Sequence, residues 1–188
     1  IPYGIITVVS AFAWQFTFSI NNGWVNAWFD WLPGISSTTN WYGDHWHAMF
    51  AIMVSEIWKT TPFMALLLLA GLSLVPEDLQ SAGKVDGATA WQRFTKITLP
   101  LMKPAILVAL LFRTLDSFRI FDNIYILTLG ANGTGSVSIL GYDNLFNALN
   151  LGIGSTISIL IFICVAIIAF IYIRIFGTAA PGSDIGKR

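Results

Sequence analysis

Residues Ile153 to Ile173 read IGSTISILIFICVAIIAFIYI, twenty-one residues without a single charge. A helix that crosses a hydrocarbon core of about 30 Å needs about 20 such residues, so this run is long enough to span a membrane alone. The rest of the chain agrees with that solvent. Of its residues 55% are hydrophobic and only 11% are charged, which points to lipid around much of the surface. The formal net charge is zero, so there is no basic footprint for a nucleic acid partner. Cys164 is the only cysteine, which rules out an internal disulfide and a cysteine metal cluster, and it is read as packing against lipid or core.

Working outward, three further runs meet the length test. They cover about 1–20, whose only side-chain amide is Gln15; about 46–75, which carries Pro62 as a kink; and about 104–127. The predicted fold is therefore all-α, a polytopic bundle of transmembrane helices in one domain over 1–188. Lys and Arg set its direction. None lies between Asn21 and His45 or between Thr128 and Gly152, whereas the stretch 76–103 holds Lys84, Arg93, Lys96 and Lys103, and the tail 174–188 holds Arg174, Lys187 and Arg188. By the positive-inside rule, loop 76–100 and the tail are cytoplasmic and the other two connections face outward. The chain opens Ile-Pro-Tyr, with neither Met nor a basic leader, and is expected to be part of a longer protein.

The outer connection carries Trp24, Trp28, Trp31, Trp41 and Trp46. An interfacial aromatic belt accounts for them, and Trp24, Trp28 and Trp31 would share one face of a short surface helix. Asp44, His45 and His47 lie close in sequence, but two histidines at an outer interface read as structural or solvated, with no metal site expected. No catalytic constellation is present, so the chain is not expected to be an enzyme. Gly130 to Gly135 reads as a loop, and the faint phosphate-loop look of Gly182 to Arg188 lacks both the spacing and the following helix.

Charges inside the apolar runs need partners. The third run contains Arg113, Asp116, Arg119 and Asp122, alternating in sign and three apart. At roughly 2.5–3.5 kcal/mol each near the centre of an isolated helix, the set costs on the order of 10 kcal/mol before pairing. On one continuous helix the ladder would wind about half-way round, so both sides must meet protein or water. The second run repeats the device with Glu56 and Lys59. Buried glue between helices is one reading of these groups. A hydrophilic translocation path is the other, with Asp116, Arg119 and Asn123 on one face and Glu56, Lys59 and Asp122 contributing. Such a lining suits a sugar, whose hydroxyls bond to Asp, Asn and Arg while aromatic faces cover its C–H surface.

Loop 76–100 reads PEDLQSAGKVDGATAWQRFTKITLP. It is too polar to span and too patterned for a linker. Pro76 followed by Glu77 and Asp78 starts a helix that Gly83 or Gly87 can end, and Asp86 can cap a second short helix carrying Trp91 and Phe94. Small residues at Ala82, Gly83, Gly87 and Ala88 would let this pair of helices seat closely in a groove of another protein.

At these residues the chain resembles the inner-membrane permeases of binding-protein-dependent ABC sugar importers, of the maltose and glycerol-phosphate type. Their loop signature is Glu-Ala-Ala, three residues, Gly, nine residues, then Ile-x-Leu-Pro. Here Asp86-Gly87-Ala88 is intact and Gly87 is followed by nine residues and Ile97-Thr98-Leu99-Pro100, while Ser81-Ala82-Gly83 stands at the Glu-Ala-Ala positions without the acidic residue. Ile1-Pro-Tyr3, Gly23-Trp-Val-Asn26, Ala70-Gly-Leu72 and Phe121-Asp-Asn123 match further patches, and Gly130-Ala-Asn132 replaces the usual Gly-Gly-Pro. Within the family the chain looks most like the trehalose-importer permeases of actinobacteria.

The resemblance implies the type I permease fold, lacking about two N-terminal spans of six, in the cytoplasmic (inner) membrane with a cytoplasmic C-terminus. It implies a second homologous permease, two cytoplasmic ATPase subunits that carry ATP and Mg, an extracytoplasmic sugar-binding lipoprotein, and no cofactor on this chain. Ser81, Ala82, Gly83, Asp86, Gly87, Ala88, Leu99 and Pro100 would couple the loop to the ATPase. An ion-coupled secondary transporter that uses the intramembrane charges is the alternative.

Overall fold

In a computed structural model, residues 2–31, 35–36 and 38–176 are described, and every regular element among them is helical. In chain order these are α1 (Thr7–Thr17), α2 (Trp24–Phe29), α3 (His45–Leu72), α4 (Glu77–Val85), α5 (Ala90–Arg93), α6 (Leu99–Leu101), α7 (Lys103–Ser117), α8 (Asp122–Thr128), α9 (Val137–Tyr142) and α10 (Leu151–Phe176). A π-helical turn, Phe94–Thr98, joins α5 to α6, and a second, Asp143–Asn147, extends α9. Residues 177–188, and with them most of the tail 174–188, expected to be cytoplasmic, and the phosphate-loop look-alike, lie outside the described residues.

Among the described residues, two helices are long and apolar enough to cross a membrane, His45–Leu72 and Leu151–Arg174, and the segments Ala90–Leu101 and Lys103–Ser117 would make a third if one span is bent by 67°. The remaining expected spans are drawn differently. The run 1–20 supplies only the 11 residues of α1; at about 1.5 Å per residue it reaches about half the hydrocarbon thickness. A 3-10 turn at Pro2–Gly4 precedes α1, and the chain turns away beyond Phe18. The run 104–127 is also not one helix. It stops at Ser117 and restarts at Asp122, with Phe121 at φ −128° and ψ −65° before the restart.

The chain divides into two compact units. The first comprises Ile1–Pro62 and Ser117–Ile163. Its core gathers Phe18, Val25, Trp41 and Ala51 in one cluster and Ile52, Ile124, Leu127 and Ile139 in another. Polar groups are matched as they are buried. The Trp41 indole donates to Asn26 Oδ1 at 2.6 Å, and Asn26 Nδ2 donates to the Thr39 carbonyl at 3.0 Å. Gln15 fastens α1 to α8 by donating to the Ile126 carbonyl at 2.8 Å. Burial pushes the Tyr42 phenol well above its ordinary pKa. The tryptophans of the outer connection therefore separate: Trp41 is core, whereas Trp24, Trp28, Trp31 and Trp46 are exposed. Trp24 and Trp28 meet edge to face at 5.5 Å on α2, but Trp31 falls beyond the end of that helix.

Asp44 caps α3. Its carboxylate accepts from the Trp46 N–H at 3.1 Å and faces His47 Nδ1 at 3.3 Å, and these bonds, the Trp46 amide first, hold its pKa below the usual carboxylate value. His45 turns the other way. Its Nδ1 lies 2.7 Å from the Asn132 carbonyl, which only accepts, so Nδ1 carries the hydrogen. The loop it holds has Leu129, Gly130, Asn132 and Gly133 at positive φ.

The second unit comprises Phe63–Asp116 and Cys164–Arg188. Gly71 lets α3 approach α7 so closely that a Cβ there would collide with Ala105. Phe63 and Phe112 meet edge to face at 6.3 Å, and the Thr114 and Tyr172 hydroxyls are 3.3 Å apart. Within α3 itself, Pro62 has no N–H to offer the Trp58 carbonyl, yet the helix continues through it. Thr60 and Thr61 bond back to the carbonyls of Glu56 and Ile57 at 2.8 and 2.6 Å.

Two outcomes test this packing. Because the Asp44 pKa is lower folded than unfolded, its capping contribution is complete above the usual carboxylate range and fades as pH falls through the depressed value. Thermal unfolding in detergent at a series of acid pH values will show that slope in the parent chain and lose part of it in Asp44→Asn. Asn26→Leu leaves the Trp41 indole without an acceptor and will cost about 1–3 kcal/mol by denaturant unfolding.

Candidate functional site

Two polar features stand out against the apolar helices, one in each unit. In the first unit, α3 and α8 bring Ser55, Glu56 and Asn123 together. All three are buried, at 2%, 8% and 4% exposed, a degree of burial that carboxyl and amide groups tolerate only when bonded. Asn123 Nδ2 donates to Ser55 Oγ at 2.6 Å and to Glu56 Oε2 at 3.0 Å, and Ser55 Oγ donates to the Ile52 carbonyl at 3.0 Å. One turn along α3, Lys59 Nζ donates to the Ile5 carbonyl at 3.0 Å and to Thr7 Oγ1 at 2.7 Å. It thereby ties α3 to the residues that open α1 and gives the Ile5 carbonyl a donor.

The charge ladder does not survive as a ladder. Arg113 and Asp116 lie on α7 and form an ion pair at 3.5 Å, with 27% and 63% of their side chains exposed. Arg119 falls in the break between α7 and α8, and Asp122 is the first residue of α8; both are exposed. The expected common face of Asp116, Arg119 and Asn123 therefore does not exist, because no continuous helix carries all three. The break has its own meaning. Non-helical backbone within an apolar run is tolerated where it is covered by protein or lines a wet cavity, and interrupted helices of this kind build the binding sites of transporters.

In the second unit, loop 76–100 folds into a helical hairpin. Glu77 and Asp78 begin α4 and Lys84 lies in its last turn, each matching the helix dipole. The helix ends in a Schellman turn: Ala88 N–H donates to the Gly83 carbonyl at 2.9 Å, Gly87 N–H to the Lys84 carbonyl at 3.1 Å, and Gly87 sits at φ +75°. Gly87, not Gly83, is the stop. Asp86 closes α4 instead of opening α5. The cap of α5 is Thr89, in a reciprocal box with Gln92 at 3.3 and 2.8 Å.

The two arms are tied at several points. Gln80 Nε2 donates to Thr98 Oγ1 at 2.7 Å, and Arg93 Nη1 donates to the Ala88 carbonyl at 2.6 Å. Gly83 is buried between them; a Cβ there would lie 3.0 Å from Ile97 Cδ1 and 3.3 Å from Arg93 Cδ. Its small size thus lets the two arms meet closely. Ser81, Ala82, Asp86, Gly87, Leu99 and Pro100 are exposed, and Ala88 is half-buried.

One cluster was not singled out from the sequence. Phe121, just before α8, and Tyr125 within it stack at 5.1 Å, Tyr142 meets them at 5.1 and 5.4 Å, and Phe146 continues the row at 4.9 Å. The spacing of four within each aromatic pair is the signal that could have found it.

Residues 1–180 match the family described as "Binding-protein-dependent transport system inner membrane component". The trehalose transport system permease protein SugA of Mycobacterium tuberculosis (strain ATCC 25618 / H37Rv) is 58% identical over 188 residues, covering all of this chain and 59% of that protein. The trehalose/maltose transport system permease protein MalF of Thermococcus litoralis is 45% identical over 177 residues, 93% of this chain and 59% of that protein. The chain thus spans about three-fifths of the length of these curated relatives. Among solved structures, a bacterial ABC transporter involved in the import of the acidic polysaccharide alginate has a chain that superposes with a TM-score of 0.85 at 24% identity, covering 95% of this chain and 63% of that one. That likeness speaks for the fold.

Two substitutions separate the roles of these groups. Asn123→Leu removes the donor shared by Ser55 and Glu56 and will lower stability by about 1–3 kcal/mol, read as the denaturant midpoint in detergent. Gly87→Ala forces a side chain into the left-handed region at a cost of about 1 kcal/mol, and hydrogen exchange at the amides of Gly87 and Ala88 will accelerate.

Proposed function

The chain belongs to the family of binding-protein-dependent transport system inner membrane components, and from that premise we propose that it is the permease subunit of an ATP-driven importer, moving a sugar across the cytoplasmic membrane by alternating access. A disaccharide such as trehalose is the substrate this reading favours, in line with the 58% identical trehalose permease. The chain works with a second, homologous permease, two cytoplasmic ATPase subunits and an extracytoplasmic sugar-binding lipoprotein. ATP and Mg bind to the ATPases, and this subunit supplies a path and a lever in place of chemistry. Its C-terminus lies in the cytoplasm, on the side to which the Lys and Arg count assigns loop 76–100.

The observation that carries the proposal is the hairpin. A lever must transmit force without bending, and here a Schellman turn, a capping box and the Gly83 contact lock both arms while Ser81, Ala82 and Asp86 are left exposed. The small side chains of Ser81 and Ala82 suit close docking in a cleft of the ATPase, and Leu99 and Pro100 lie where the second arm passes into α7. Ser81 in place of the family's Glu removes one charge from that contact. Inside the membrane, the Glu56, Lys59 and Asn123 bonds brace the helices, while Arg119 within the break at 118–121, with Asp116 before it and Asp122 after it in the chain, is exposed along with both of them, and these are the groups offered to sugar hydroxyls. Closure of the ATPases on ATP would draw the two hairpins of a permease pair together and turn the cavity outward.

In a Cys164→Ser background, Ala82→Cys will cross-link to an ATPase subunit of the assembled complex, and uptake of labelled trehalose will stop on ATP depletion. An Ala82 thiol that reacts from the outer surface, or uptake that survives ATP loss and collapses with an uncoupler, would overturn the reading in favour of an ion-driven carrier.

A further inference from the structure

Charges and amides recognise the hydroxyls of a sugar, but a pyranose also has C–H faces that need an apolar, polarisable partner. In the first unit, Phe121, Tyr142, Leu145, Phe146 and Ile161 line an open depression of about 380 Å³ together with Gly141 and the hydroxyl residues Ser138 and Ser158. That volume is at the lower end of the range for small-ligand sites, about 300–1,000 Å³, and suits one sugar ring better than a whole disaccharide.

The arrangement is built, not incidental. The aromatic row is continuous from Tyr125 to Phe146, with each ring 4.9–5.4 Å from the next. A π-helical turn at Asp143–Asn147 places Phe146 on this row, and such turns are over-represented at functional sites. Two glycines hold the segment against α10. Gly141 faces Ile157 across a gap that a Cβ would close to 3.4 Å, and a Cβ on Gly154 would collide with the Leu145 side chain. Asn147 Nδ2 donates to Asp143 Oδ1 at 2.8 Å, fixing two polar groups in the same turn as Phe146.

The chemistry around the rings is that of a carbohydrate site. Ser158 Oγ donates to the Gly154 carbonyl at 3.0 Å, so its lone pairs are left to accept from a hydroxyl. Phe146 is 65% exposed, a large ring presented and not packed. A lipid-facing belt would need no concavity and no hydroxyls. The segment 128–152 also lacks Lys and Arg, so the positive-inside rule puts it on the outer side, where sugar arrives.

We propose that Phe121, Tyr142 and Phe146 form an entry subsite that stacks one pyranose ring of the transported sugar, with Ser138 and Ser158 bonding its hydroxyls. The proposal rests on the sugar-permease reading above and adds a site to it.

The test uses the full-length chain in the assembled transporter, reconstituted in liposomes with its ATPase and binding protein, with trehalose and maltose as probes. Sugar moved per ATP hydrolysed is measured for Phe146→Leu and Tyr142→Leu, with assembly checked by gel filtration. A lost ring stack lowers that ratio roughly three- to tenfold, and Phe146→Tyr restores it. A ratio unchanged in both leucine variants would overturn the subsite. So would sugar and ATP turnover that fall in parallel, or a Phe146→Tyr variant no better than Phe146→Leu, since these mark a subunit contact. If the unmodified complex moves neither sugar, the sugar-permease reading falls and takes the subsite with it; if it moves them and the variants are indifferent, the subsite falls alone.

Discussion

A backbone amide in hydrocarbon has no water to turn to, and this one deficit shapes the chain from end to end. It is why the described elements are helices and why α3 and α10 run long and nearly charge-free. Where carbonyls lack a backbone donor, side chains from elsewhere in the chain supply one. At the start of α1, Lys59 reaches across to the Ile5 carbonyl. At the end of α8, Gln15 finds the Ile126 carbonyl.

Burial of polar side chains follows the same rule. Asn123 reaches two partners at once, so the Glu56 carboxyl enters the interior with a donor in place. Trp41 and Asn26 do the same in the connection between α1 and α3. Replacing such a group by an apolar one of the same shape can be nearly neutral when both partners change together, but removing one strands the other. The interior is thus specific in a way that apolar packing alone would not be: each of these bonds fixes which helix face meets which.

Loop 76–100 is held by different physics. It is polar, and the devices that fix the hairpin of α4 and α5 are those of soluble helices: dipole-matched charges, a Schellman turn and a capping box. Together they hold two short helices in one relative position. In the membrane-embedded units the stiffness comes from close approaches at Gly71 and Gly154, where backbone meets side chain without an intervening Cβ.

Much of this was legible from residues alone. Hydrophobic runs of the right length located α3 and α10, because a span is a local property of composition. The patterned loop announced a helical hairpin and a family, because start and stop signals are also local. The sequence could not show that 1–20 and 104–127 would break, since both satisfy the length test and their interruptions at residues 4–6 and 118–121 depend on what packs against them. Nor could it show that Asp86 would close one helix while Thr89 opened the next, a choice made by one glycine at positive φ. The charge ladder is the clearest case. Spacing of three puts Arg113, Asp116, Arg119 and Asp122 within reach of one another only if the helix continues, and continuity is decided by tertiary partners. Linear pattern thus determined the solvent, the spans that stand alone and the helical hairpin; three-dimensional packing decided which polar groups meet, because a hydrogen bond between Asn123 and Glu56 joins residues 67 apart in the chain and no local periodicity can encode it.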